Sequence, residues 1–272
     1  MIPIESDTLN IMIRAAARAG HSLVHDFAQA ESLLVSLKNP RDFVTAADRR
    51  AEEIVYDELT KARPNYGFLG EEVGWHPGTD EAHRWIVDPL DGTTNFLHQI
   101  THFAVAISLE QNGVPVAAVV YNPVHDEMFI AERGKGAFVN DKRIFVNKRT
   151  LLAEAIVACG LPHRGRGDLG LARREIAAVQ EHFAGLRRFG SAALDLAWIA
   201  AGRFDAYWQR NLSPWDLSAG ILLVSEAGGI VTDLTGNQDT ILKRGEIVAG
   251  NEVMHRELLK LLEEASQSRY SE

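Results

Sequence analysis

Apolar positions recur with a helical period at the start of the chain and with a strand period further on. Over residues 9–27, Leu9, Ile13, Ala16, Ala17, Gly20, Val24 and Phe27 fall on one helical face, with Ser6 or Asp7 as caps. A second helix is predicted from near Thr45 to before Pro64, with Ile54, Val55 and Leu59 turned inward. Residues 66–70 and 83–88 then read as short strands. Two longer apolar runs, Phe103–Glu110 and Val114–Tyr121, are joined by Gln111-Asn112-Gly113, and Asn-Gly between such runs signals a hairpin. Further strands are predicted near Glu127–Ala131 and Gly136–Val139, with Asn140-Asp141 as a turn.

The pattern changes after about residue 145. Ala155–Cys159, Leu186–Phe189, Asp205–Trp208, Ile230–Asp233 and Ile247–Ala249 read as strands. They alternate with helices over Leu171–Phe183, Ser191–Ala201, Trp215–Ala227 and roughly 252–266. The pattern predicts an N-terminal α+β half, residues 1–145, and a C-terminal α/β half, residues 146–272, built as one compact unit.

Composition narrows the function. With 272 residues and 46% of them hydrophobic, the chain can bury a large core. A formal charge of -9 and the lack of a basic patch argue against nucleic acid and anionic membranes as partners. No stretch approaches the roughly 18–20 apolar residues of a membrane span, and the first residues carry no apolar core of a signal peptide. Cys159 is the single cysteine and sits in an apolar run, so a buried structural thiol in a reducing cytoplasm is expected. No Cys-x5-Arg arrangement follows it, since the position is Gly165.

Candidate chemistry concentrates in Trp85-Ile86-Val87-Asp88-Pro89-Leu90-Asp91-Gly92-Thr93-Thr94-Asn95-Phe96. An apolar strand runs into Asp88, and Asp91 follows across a turn. Two carboxylates and the Leu90 carbonyl there form a hard oxygen set that suits magnesium. Gly92 permits close backbone approach, and the N–H groups of Gly92, Thr93 and Thr94 suit a phosphate oxygen. The Thr93 hydroxyl can align a water. Asp-Pro-x-Asp-Gly is also an ordinary turn composition.

The full string resembles the first signature of the inositol monophosphatase family. Two further segments match in order: Phe68-Leu69-Gly70-Glu71-Glu72 upstream, and Trp215-Asp216-Leu217-Ser218-Ala219-Gly220 through Glu226-Ala227-Gly228-Gly229 downstream. The resemblance implies an α/β (α+β) fold, a layered αβαβα sandwich, and a phosphatase working with two or three Mg2+ ions. It implies Glu71, Asp88 and the Leu90 carbonyl on one metal, and Asp88, Asp91 and Asp216 on another. Gly92 and Thr93 would bind phosphate, Thr93 and Asp48 would orient the attacking water, and Lys38 would lie near the phosphate. Ala193 would line the substrate pocket. Family members with inositol substrates place a glutamate where this chain has Gln209, seven residues before Asp216.

Several of these residues carry a second reading. Asp48 follows Thr45 in a capping-box pattern, and Ser213-Pro214-Trp215-Asp216 reads as a helix start. Glu71 and Glu72 also read as a solvated acidic pair. His98 and His102, at i, i+4, raise a zinc site, which the oxygen-only family site disfavours. The resemblance favours hydrolysis of myo-inositol 1-phosphate by a cytoplasmic, lithium-sensitive homodimer. The alternatives are a relative acting on 3'-phosphoadenosine 5'-phosphate, a sugar phosphate or histidinol phosphate, and a non-catalytic scaffold on a phosphatase fold.

Overall fold

A computed structural model describes residues 6–34, 40–162 and 167–267; the side chains of 30–45 also lie outside the described part. Two long helices open it, α1 (Asp7–Leu34) and α2 (Pro40–Ala62). The second starts earlier than its apolar pattern predicts, at a proline whose missing N–H costs nothing in a first helical turn. Next come β1 (Tyr66–Gly70), β2 (Gly74–His76), β3 (Asp80–Asp91) and a one-turn helix, α3 (Thr93–Leu97). The chain continues with β4 (Ala104–Gln111), β5 (Val114–Asn122), β6 (Glu127–Glu132), β7 (Gly136–Val139) and β8 (Lys142–Ile144).

These eight strands form one sheet in the order β2-β1-β3-β4-β5-β6-β7-β8, antiparallel except for the β1–β3 pair. The β4–β5 turn has Asn112 and Gly113 at φ 53 and 78, the left-handed pair that a tight hairpin needs.

The remainder holds β9 (Ile156–Cys159), α4 (Leu169–Gln180), β10 (Gly185–Arg187), α5 (Ala192–Ala200), β11 (Ala206–Gln209) and α6 (Pro214–Glu226). It closes with β12 (Ile230–Thr232), α7 (Ile241–Arg244), β13 (Ile247–Gly250) and α8 (Glu252–Gln267). Its five strands form a second sheet, β10-β9-β11-β13-β12.

Apolar residues on alternating strand positions divide the core into three. On one face of the large sheet, Trp85, Val87, Val105 and Ile107 pack against Leu9, Met12, Val55 and Leu59 of α1 and α2. On its other face, Ala106, Val120 and Phe129 meet Leu194, Leu196, Leu217 and Leu223 of α5 and α6, which also cover Tyr207 and Ala249 of the second sheet. Behind that sheet, Val157, Trp208 and Val248 pack on Val179 of α4 and Leu258 and Leu262 of α8. The layers are therefore α1/α2, large sheet, α5/α6, small sheet and α4/α8, the expected αβαβα sandwich.

Candidate active site

The site begins with a break in strand pairing. On β3, Asp88 pairs with Ala106 and Asp91 with Ala104, so three steps on one strand meet two on the other. One residue is extra, and the bulge contains Pro89, which has no N–H to give the ladder. In a regular strand, positions three apart face opposite ways; the extra residue returns Asp91 to the face of Asp88. Both carboxylates are then buried, at 1% and 9% exposure.

Asp216 reaches the same point from the third residue of α6. Its Oδ2 accepts the Ser213 N–H at 2.7 Å, so the helix-start reading holds and leaves the carboxylate aimed at the sheet. Oxygens of Asp88, Asp91 and Asp216 lie within 4.8 Å of one another. Each is further oriented: Asp88 Oδ1 accepts the Leu90 N–H at 2.9 Å, and Asp91 Oδ2 accepts the Ser191 hydroxyl at 2.6 Å and the Ala193 N–H at 2.7 Å.

Parallel pairing of Gly70 with Val87 sets Glu71 beside Asp88, and the Glu71 N–H donates to the Val87 carbonyl at 3.3 Å. The Glu71 carboxyl reaches that of Asp88, although it is not among the three closest groups. Asp48, on α2, is 3% exposed, and its Oδ1 has no hydrogen-bond partner among the described residues. The capping-box reading of Thr45 and Asp48 is overturned, because α2 already starts at Pro40 and leaves Thr45 inside the helix, where no free first-turn N–H remains to cap. Glu52, one turn beyond Asp48, is fully buried and accepts the Glu72 N–H at 3.1 Å. A Cβ on Gly70 would come within 2.0 Å of that carboxylate. Glu52 thus ties α2 to the turn carrying Glu71.

Burial and mutual repulsion hold these acids protonated far above the usual carboxylate range. Asp48 is pushed up to about 9 by burial and then by Glu71, Glu72 and Glu52. Glu71 rises to about 7 through burial and Asp91, against a hydrogen bond with Asp88 that lowers it. Asp91 rises to about 7 through burial and Asp216, against its bonds to Ser191 and Ala193. Asp88 is raised by burial and by Glu71, Asp91 and Asp216. A cluster of this kind is relieved by cations, and its donors are all oxygens. The Asp48 oxygen, without a partner among the described residues, and the converging carboxylates fit hard divalent metal ions.

Beside the acids, Gly92 sits at φ 100, a left-handed conformation open to glycine, and a Cβ there would crowd the His102 carbonyl at 3.0 Å. Thr93 is exposed at the start of α3, and its hydroxyl donates to the Leu90 carbonyl at 3.2 Å. Gln209 ends β11. Its Oε1 accepts the hydroxyl of the fully buried Tyr207. Its amide lies over Gly160, where a Cβ would come within 1.9 Å.

Most expected site residues therefore converge. Ala193 does so through its backbone amide, which holds Asp91. Lys38 lies outside the described residues. His98 and His102 share no helical face, because α3 ends at Leu97, and the three-carboxylate group contains no histidine. Two residues that no motif points to, Ser191 and Glu52, also serve the site. Ser191 shows in the sequence only as the first residue of a predicted helix, and its contact with Asp91 spans 100 positions; for Glu52 the available signal is its i, i+4 spacing from Asp48.

The layered architecture and the oxygen-only acidic site define the class of α/β proteins whose centre suits hard divalent metal ions, and the family match makes this one a phosphoric monoester hydrolase. The profile of the inositol monophosphatase family matches residues 5–267, and the chain belongs to that family. It is 54% identical to a Mesorhizobium japonicum protein named inositol-1-monophosphatase, over 97% of this chain and 99% of that one. It is 42% identical to the Pseudomonas aeruginosa Nus factor SuhB, over 94% of this chain and 95% of the other. The solved structure of extragenic suppressor protein suhB from Bartonella henselae matches with a TM-score of 0.88 at 52% identity, covering 94% of this chain and 98% of that one.

Proposed function

We propose that the chain hydrolyses myo-inositol 1-phosphate to myo-inositol and inorganic phosphate with Mg2+ as cofactor. The observation that carries this reading is the β3 bulge, which turns Asp88 and Asp91 to one face opposite Asp216. Relatives at 49–54% identity named inositol-1-monophosphatase support the choice of substrate.

In this reading Glu71, Asp88, the Leu90 carbonyl, Asp91 and Asp216 hold the magnesium ions. Bound magnesium supplies positive charge for the phosphate oxygens and a water more acidic than bulk water. The N–H groups of Gly92 and Thr93 bind phosphate oxygens, with Lys38 adding charge nearby. The Thr93 hydroxyl spends its proton on the Leu90 carbonyl, so its lone pairs are free to accept from the attacking water. The Asp48 oxygen that has no partner among the described residues accepts the other proton of that water. Gln209 and the Ala193 region contact the alcohol part of the substrate. A homodimer, lithium sensitivity and a cytoplasmic setting are carried over from the family resemblance.

A second reading is favoured by the relatives named Nus factor SuhB at 42% identity. It makes the fold an interaction module, alone or in addition to catalysis. The complete acidic set argues against a scaffold that has given up chemistry.

The test is phosphate release from myo-inositol 1-phosphate, with 3'-phosphoadenosine 5'-phosphate, sugar phosphates and histidinol phosphate as competitors. Release with magnesium, lost on chelation and in D88N, is the expected result. Preference for another monoester would overturn the substrate; silence across the panel would favour the interaction module.

A further inference from the structure

Two buried ionisable side chains have no part in the reading above. His102 leads into β4 and is 6% exposed, while Asp195 lies in the first turn of α5 at 1% exposure. His102 Nε2 stands 3.4 Å from Asp195 Oδ1. At that separation the two atoms form no well-aligned hydrogen bond, and neither has another hydrogen-bond partner among the described residues, so each is the nearest opposite group the other has. The imidazole is wedged between Phe189 and Trp198, with ring centroids at 5.0 and 4.9 Å. Burial pushes the Asp195 carboxyl up, and the His102 ring opposes that rise.

Both residues reach the acidic site through the backbone that carries them. Asp195 donates its N–H to the Ser191 carbonyl at 2.9 Å, and Ser191 and Ala193 hold Asp91. The His102 carbonyl accepts Asn95 Nδ2 at 2.7 Å and borders Gly92. The same Asn95 amide donates to the Phe189 carbonyl at 2.7 Å, two residues before Ser191. The contacts close a ring around the Gly190-Ser191 turn. One side is tied by Asn95, and the other by the contact between His102 and Asp195. The segment from α3 to the start of β4 supplies one half of the ring, and the start of α5, which gives Asp91 both of its orienting bonds, supplies the other.

A buried polar pair adds little net stability over apolar packing of the same shape, and in some proteins it serves to fix one arrangement of the elements it joins. We propose that His102 and Asp195 form a positioning pair for Asp91, clamping the first turn of α5 against the segment before β4. The clamp fixes the Ser191 hydroxyl and the Ala193 amide, which set the Asp91 carboxylate. The inference rests on the reading that Asp91 holds a divalent cation. It gives His102 a role that the zinc reading of His98 and His102 did not.

The experiment is calorimetric titration of magnesium into the full chain, without substrate. Native protein is compared with H102A, H102Q, D195N and the H102A/D195N double variant, each checked for folding by thermal melting. H102A and D195N are expected to weaken magnesium binding about tenfold, the scale of losing a group that orients a ligand. The double variant should lose no more than either single, because the pair acts as one unit. H102Q keeps a donor toward Asp195 and should recover most of the affinity. A folded H102A or D195N that binds magnesium like the native chain overturns the clamp. So do additive losses in the double variant, or no recovery in H102Q. If H102A does not fold, H102Q and D195N decide alone. Native protein that takes up no magnesium would sink the cation reading itself, whereas native binding with unchanged variants sinks only the clamp.

Discussion

Gly160 and Asp233 carry two residue-scale predictions. A methyl group on Gly160 would overlap the Gln209 amide, whose Oε1 is already committed to Tyr207. G160A should therefore displace Gln209 and leave the acidic cluster alone. If Gln209 contributes one hydrogen bond to substrate, KM rises about tenfold with kcat and magnesium affinity near native. Steady-state kinetics on myo-inositol 1-phosphate checks this, and an unchanged KM would remove Gln209 from the substrate site. Asp233 is a different case. It accepts the Thr235 N–H, the Asn237 N–H and the hydroxyls of Thr235 and Thr240, at 2.6–3.0 Å. Burial works to raise its pKa, but these bonds win and hold it at about 2. The stabilisation is complete above the ordinary value of 3.8 and is lost as pH falls through about 2. D233N should remove part of it at neutral pH, and its melting temperature should change less than the native one between pH 5 and 2. An equal acid response in both proteins would show that Asp233 does not carry it.

At the scale of elements, Glu226 at the end of α6 reaches back to the large sheet. Its two carboxylate oxygens each accept an N–H at 2.8 Å, from Gly134 in the β6–β7 turn and from Gly136 at the start of β7. E226A leaves both amides without that partner and should cost about 1–3 kcal/mol in urea unfolding, with phosphate release unchanged. A loss of activity without a loss of stability would refute this structural role. Such pairings set the limit of what the sequence discloses. The long helices and the β4–β5 hairpin are legible because each carries its own period or turn residues. The one-turn helix α3, the three-residue strands β2 and β8, and α7 are too short to show a period, and only their neighbours make them form. The site divides in the same way. Asp88, Asp91, Glu71 and Asp216 stand in recognisable strings. Ser191, Glu52 and the His102–Asp195 pair act through contacts that exist only once both sheets are assembled.

At the scale of the whole molecule, the acidic cluster opposes the fold that creates it. In the metal-free chain, Asp48 is raised to about 9, and Glu71 and Asp91 to about 7, from ordinary values of 3.8 for aspartate and 4.5 for glutamate. Between those limits the folded chain binds more protons than the unfolded chain. Its stability is therefore fully present below about pH 4 as far as these groups are concerned, and it falls as pH rises through 7 and then 9. Bound magnesium replaces the protons as counter-charge and binds the folded chain alone, so it must stabilise more strongly at high pH than at low. Scanning calorimetry from pH 5 to 9, with a chelator and with saturating magnesium, measures both slopes. With chelator the melting temperature should drop by several degrees toward pH 9, and magnesium should flatten or reverse that trend. A chelated protein whose stability rises across this range would mean that the carboxylates are already ionised and compensated from within. In that case no cation would be needed to hold them together, and the metal-centred reading of the site would lose its physical basis.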